Sequence, residues 1–274
     1  MVQIGIKASW KDVREMVEYP GLGLVEVVLH ENDLNENYKQ LVENFFWAKT
    51  KGYRIVVHQP EYMYLGKEKR LVDISSVHSK VIKESRNVIA RTIEFSEDIE
   101  AEAIIIHPGG ISPQGVKKEE QMGVLKDTIS RLGYKHFYLE NMPWFYWMYN
   151  DEKWKSSIMV DVTDFLRIID RVDGVCLDVC HAYLSNENGS MQMIKDYISY
   201  LGYKIKHMHI SDAYPPDAEG LQIGYGKIDF VWLFSEIKKF GWEVGLVPEI
   251  LDGHLDKGAG FKFALDLIKA KITT

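Results

Sequence analysis

Six short apolar runs in this chain each stop at a side chain that can hold a metal ion or move a proton. Residues 53–57 run into His58, 101–106 into His107, 135–139 into Glu140, 174–177 into Asp178, 203–208 into His209 and 245–248 into Glu249. Each run is β-branched or aromatic and too short for a helix, so it reads as a strand. Between them lie segments of helical periodicity, at 74–99, 118–132, 161–169, 189–200 and 229–240, with a last one at 258–271. Two further runs, 2–6 and 24–29, precede the six, separated by helical patterns at 10–19 and 35–51 that Pro20-Gly21 and Gly52 terminate.

Strictly alternating strands and helices call for a parallel sheet, and eight such units close into a single α/β (β/α)8 TIM barrel, here expected as one domain over residues 1–274. An open doubly wound sheet is the alternative. It lacks support, because no Gly-rich phosphate fingerprint follows the first strand and no change of winding is visible. The irregular stretches fall after strand ends, at 141–157 and 213–227.

In a barrel of this kind the C-terminal ends of all strands converge on one mouth, where catalytic groups sit. Three imidazoles and three carboxylates converging there supply N and O ligands for one or two divalent cations, with Zn²⁺ or Mn²⁺ the best matched. A cation also explains how like-charged carboxylates are tolerated side by side. His181, three residues past Asp178, is either a further ligand, a general acid/base or a loop hydrogen-bonding group. His207 shares the face of His209 two residues deeper and reads as core or as a support for the ligands. Cys176 and Cys180, placed four apart in what reads as one strand, fit core packing rather than a disulfide. The aromatic cluster Trp144, Phe145, Tyr146, Trp147, Tyr149 and Trp154 directly follows Glu140 and is either a lid over the site, with Trp144 and Trp147 against substrate, or a plug under a long loop.

Composition restricts the partners. The longest apolar runs are far too short to span a bilayer, and Met1 leads straight into a strand with no signal core, so a cytoplasmic protein without a membrane is expected. The net charge of −7 without a dense Lys/Arg tract argues against broad capture of nucleic acid, although a metal centre supplies positive charge that a residue count does not see.

Taken together, Val57-His58, His107-Pro108-Gly109, Leu139-Glu140-Asn141, Leu177-Asp178-Val179-Cys180-His181-Ala182, His209-Ile210-Ser211-Asp212, Gly224-Tyr225-Gly226 and Pro248-Glu249 resemble the xylose isomerase-like TIM barrels. That superfamily includes endonuclease IV, of AP endonuclease family 2, and many sugar isomerases and epimerases. The resemblance implies that Glu140, Asp178, His209 and Glu249 form the shared four-ligand metal site. It implies that His58 and His107 hold a second metal bridged by Glu140, and that His181 belongs to a third. The remaining ligands of that third site are an Asp and a His before Gly-x-Gly; residues 217–224 offer Asp217 and no His. No basic and aromatic wedge follows the second strand at 30–36 either. The leading expectation is therefore a metal-dependent sugar or sugar-phosphate isomerase or epimerase with Glu140 and Glu249 as acid and base. The alternative is an endonuclease IV-like phosphodiester hydrolase acting at abasic sites in DNA, and a third reading is a barrel that binds a metal or ligand without turnover. The oligomeric state is open.

Overall fold

The computed structural model describes residues 2–112, 116–148, 150, 152–241 and 243–272. Eight strands form the barrel: β1 Gln3–Ala8, β2 Leu24–Val27, β3 Arg54–His58, β4 Ala103–Ile106, β5 Phe137–Glu140, β6 Gly174–Asp178, β7 Ile205–Ile210 and β8 Gly245–Pro248. Every neighbouring pair is parallel, and β8 returns to β1 through Gln3 opposite Gly245 and Ile4 opposite Leu246. The sheet is closed, so the doubly wound alternative falls away.

Helices on the outside explain the near-continuous apolar character of the strands, which are covered on both faces. All four residues of β4 are buried. The large core lies between the strands and the helices α1 Val13–Met16, α2 Glu31–Glu36, α3 Tyr38–Thr50, α4 Ser79–Asp98, α5 Lys118–Leu132, α6 Val162–Leu166, α7 Val179–Tyr183, α8 Met191–Leu201, α9 Phe230–Phe240 and α10 Leu255–Ile272. A smaller cluster of Leu24, Val56, Ala103, Ile105, Tyr138, Cys176 and Val247 packs separately from it. This is the inner face of the barrel. Gly5 joins that layer because a Cβ there would meet Leu24 and Val247 at 2.9 Å, and Gly245 likewise leaves room for Leu24 and the His207 ring. Side chains alternate along a strand, so the residues two positions further on also point inward, one layer nearer the mouth.

Several boundaries move. The seventh strand is Ile205–Ile210 rather than 203–208, with residues 202–204 in a 3-10 turn, so His209 lies inside the strand and not at its end. β4 begins at Ala103. The pattern at 10–19 yields only α1, and that at 35–51 is divided at Asn37 into α2 and α3. α4 starts at Ser79 rather than 74, because the Asp73 carboxylate accepts from the Ser75 and Gly110 backbone N–H groups and fixes residues 73–76 as a turn. Cys180 stands in α7 and not in a strand, and both cysteines are free and buried.

The loops carry structure that their sequences did not announce. Tyr62–Leu65 pairs with Glu68–Leu71, Asp212–Tyr214 with Ala218–Leu221, and Phe145–Trp147 with Lys153–Ser156, which also pairs with Ile111–Ser112. Tyr149 lies outside the described residues.

Candidate metal centre

Each of the eight strands delivers one ionisable side chain to the mouth: Lys7, Glu26, His58, His107, Glu140, Asp178, His209 and Glu249 in chain order. Glu140 stands at the centre of the group. Its Oε2 lies 3.4 Å from His58 Nε2 and 3.3 Å from His107 Nε2, and its Oε1 lies 3.3 Å from His209 Nδ1. One carboxylate thus faces imidazoles on both sides. His209 Nδ1 is in turn 2.5 Å from Glu249 Oε2 and 3.7 Å from Asp178 Oδ2.

Two groups follow from this geometry. Glu140, Asp178, His209 and Glu249 bring one ligand atom each within 4.8 Å of one another, and so do His58, His107 and Glu140. The donor chemistry fits a divalent cation, being carboxylate oxygen and imidazole nitrogen in both sets. Glu140 Oε2 is also buried with no hydrogen bond of good geometry, only the His58 and His107 rings at 3.4 and 3.3 Å, a cost that a cation would offset. Cys176, His207 and His209 meet the same distance limit, yet His207 Nε2 is committed to Glu26 at 2.7 Å and burial pushes the Cys176 thiol up, keeping it protonated.

The charges are set by burial and by close partners. Burial alone would raise the Glu140 carboxyl, but His209 and His107 beside it hold it well below the usual carboxylate range. Burial opposes charge on His209, and the Glu249 and Glu26 carboxylates around it outweigh it, so its imidazole is raised well above the ordinary value. Asp178 is pushed up to about 6 by burial. His181, where burial would lower the value, is raised to about 9 by Asp178, Glu140 and Glu219.

The local chain explains the placement. Asn141 Oδ1 accepts from the Asp178 backbone N–H at 2.8 Å and its Nδ2 donates to the Asp178 carbonyl at 2.9 Å, locking the ends of β5 and β6 together. Asp178 caps α7 through the His181 N–H at 2.7 Å, which turns His181 back toward the mouth. His181 Nδ1 then lies 2.9 Å from the Asn141 carbonyl, leaving Nε2 directed at Glu219 Oε2, 3.7 Å away.

Not every candidate arrives. The Asp217 carboxylate pairs with Lys153, and its carbonyl accepts from Trp147 Nε1 at 3.2 Å, so it is Glu219 that stands against His181. Trp147 is exposed and Trp144 lies under the Lys155 ammonium at 3.6 Å. Among the described residues of that hairpin, Tyr146 faces the centre, its ring packing edge-on against His107 and its hydroxyl donating to Glu61. Lys7, Glu26 and Glu219 are additions. His207 is fully buried, with Glu26 on its Nε2.

Among sequence relatives, a probable endonuclease 4 from Halothermothrix orenii is 25% identical over 186 residues, 64% of this chain and 61% of that protein, so the match spans less than two thirds of the relative. Among solved structures, a D-tagatose 3-epimerase-like protein superposes with a TM-score of 0.69 at 21% identity, covering 98% of this chain and 99% of that one. Endonuclease IV from Thermus thermophilus superposes with a TM-score of 0.68 at 14% identity, covering 99% of each chain. These likenesses show the fold. The profile of the xylose isomerase-like TIM barrels matches residues 13–271, and with the closed eight-stranded barrel it places the chain in that family.

Proposed function

We propose that the protein is a divalent-cation-dependent isomerase or epimerase acting on a sugar or sugar phosphate, with Zn²⁺ or Mn²⁺ as the cation. The observation that carries this reading is the meeting of Glu140, Asp178, His209 and Glu249 around one point. A bound divalent cation supplies Lewis-acid polarisation of a substrate carbonyl and orients the neighbouring oxygens. Asp178 and His209 are buried and serve as fixed ligands. Glu140 and Glu249 come from β5 and the end of β8, which are separated in the barrel by β6 and β7, so they reach a substrate from different sides. In this reading one removes the proton from the carbon beside the carbonyl and the other returns a proton to the opposite face. Tyr146 and the hairpin that carries it exclude water above His107. The chain is expected to act as one domain in the cytoplasm. Among the described residues no helix is long and apolar enough to cross a membrane.

The test is solvent-deuterium incorporation into a panel of ketoses and their phosphates with added Mn²⁺ or Zn²⁺. Deuterium is expected at one carbon of at least one substrate and is lost in Glu140→Gln; no incorporation into any sugar would count against the reading.

One observation favours a second reading, endonuclease IV-like hydrolysis at abasic sites in DNA. The group of His58, His107 and Glu140 offers a second cation position sharing Glu140. Against it, Glu219 rather than a histidine faces His181, and Asp217 is engaged by Lys153. Incubation with an abasic duplex and Zn²⁺ decides between them, since strand cleavage abolished by Glu140→Ala would reverse the order.

A further inference from the structure

Among the described residues, an ammonium stands with the carboxylates of the barrel mouth. Lys7 Nζ contacts Glu249 Oε1 on one side and lies 3.1 Å from Glu26 Oε1 on the other, with its side chain only 9% exposed. Glu26 continues the chain of contacts, its Oε2 lying 2.7 Å from His207 Nε2 and 3.0 Å from His209 Nε2. His209 returns to Glu249 through Nδ1 at 2.5 Å. The four groups Lys7, Glu249, His209 and Glu26 therefore form a closed ring of alternating charge around β1, β2, β7 and the end of β8. With Nε2 held by Glu26, Nδ1 is the nitrogen of His209 directed at Glu140, Asp178 and Glu249. Lys7 engages the opposite oxygen of Glu249 from the one that faces His209.

We propose that Lys7 is a positioning residue for the cation centre: its ammonium ties down Glu249 Oε1, leaves only Oε2 for a cation, and weakens cation binding by its own charge. The proposal rests on the cation reading above and extends it to a residue of β1 outside both ligand groups. Glu249 is kept as a ligand with one oxygen and a defined orientation, instead of closing on the cation with both. Two positive charges sharing one carboxylate repel, and at an effective dielectric of about 20 that repulsion is worth more than a tenfold change in affinity. An arginine would keep the charge, whereas a glutamine would keep an N–H donor for the buried carboxylates and lose the charge.

The test is a calorimetric titration of the full chain with Zn²⁺ and Mn²⁺, for the unaltered protein, Lys7→Gln, Lys7→Met and Lys7→Arg, each checked for folding by circular dichroism. Lys7→Gln is expected to bind at least one of the cations about tenfold more tightly or better, and Lys7→Arg within about threefold of the unaltered protein on the same charge argument. Lys7→Met should follow Lys7→Gln, and Lys7→Gln carries the test if the methionine variant does not fold. A purely structural lysine would lower the melting temperature and leave cation affinity equal or weaker in Lys7→Gln, and that result overturns the proposal while sparing the cation reading. No cation bound by the unaltered protein overturns both.

Discussion

Glu140 and His209 are complementary charges at the centre of the mouth, and a cation bound by both would have to take the place of the positive charge on His209. His209 is held above its ordinary value by carboxylates, which favours its protonated form, and a nitrogen that carries a proton cannot ligate. Cation binding at Nδ1 must therefore expel that proton. Below the raised His209 value, apparent affinity increases with pH, and above it the affinity levels off. Titration in buffers of different ionisation enthalpy is expected to show release of roughly one proton per cation near neutral pH. A pH-independent affinity between about 6 and 8 would remove His209 from the ligand set. Asp178, at about 6, adds to the same slope on the acid side because it too must be ionised to ligate.

The same residues show what a sequence discloses. His58, His107, Glu140, Asp178, His209 and Glu249 are legible because each follows an apolar run, and such a break is visible without coordinates. Lys7 follows the run 2–6 in the same way but offers a cation where a metal ligand was sought, and Glu26 is hidden because it sits within the run 24–29. A signal was present nonetheless. A charged residue within a strand whose outer face is covered by helices is favoured on the inner face, and Lys7 and Glu26 lie there, two positions beyond Gly5 and Leu24 respectively. Glu219 was not reachable that way, since whether Asp217 or Glu219 faces His181 depends on the hairpin Asp212–Tyr214 with Ala218–Leu221, which the Pro- and Gly-rich sequence disguised as a loop.

At the scale of elements, the segment after β7 is organised by one side chain. Asp212 accepts from the backbone N–H groups of Ala213 at 2.8 Å, Gly224 at 2.9 Å, Gly226 at 2.8 Å and Ile228 at 3.0 Å. It gathers both ends of the loop that carries Glu219 and Asp217, and it explains Gly226, where a Cβ would lie 2.3 Å from the Ala213 carbonyl and from Asp212 Oδ1. The motif Gly224-Tyr225-Gly226 is thus the receptor of a carboxylate, which its spacing in the sequence did not reveal. Asp212→Ala leaves several inward-facing donors without partners, each worth about 1–3 kcal/mol when buried. We expect a loss of about 3 kcal/mol in chemical denaturation, with cation affinity at Glu140 reduced far less than stability. A loss under about 0.5 kcal/mol would mean that water replaces the carboxylate and that the loop is held by its packing.

The whole molecule is a ring of eight strands whose inner face is apolar at one level and ionisable at the next. Leu24, Val56, Ile105, Tyr138, Cys176 and Val247 form the floor, and Glu26, His58, His107, Glu140, Asp178 and Glu249 stand two residues beyond them. The closed topology was legible from alternation alone, whereas the hairpins that roof the mouth were not, because three- and four-residue strands leave too short a period to read. Once the ligating imidazole has given up its proton, the strand ends set four carboxylates against one ammonium, a negative excess that one divalent cation reduces without reversing. Anomalous diffraction from crystals soaked in Zn²⁺ or Mn²⁺ tests the cation centre most directly. The expected result is a peak enclosed by Glu140, Asp178, His209 and Glu249 that disappears in Glu140→Ala; a mouth without anomalous density, or a peak that survives the loss of Glu140, would contradict it.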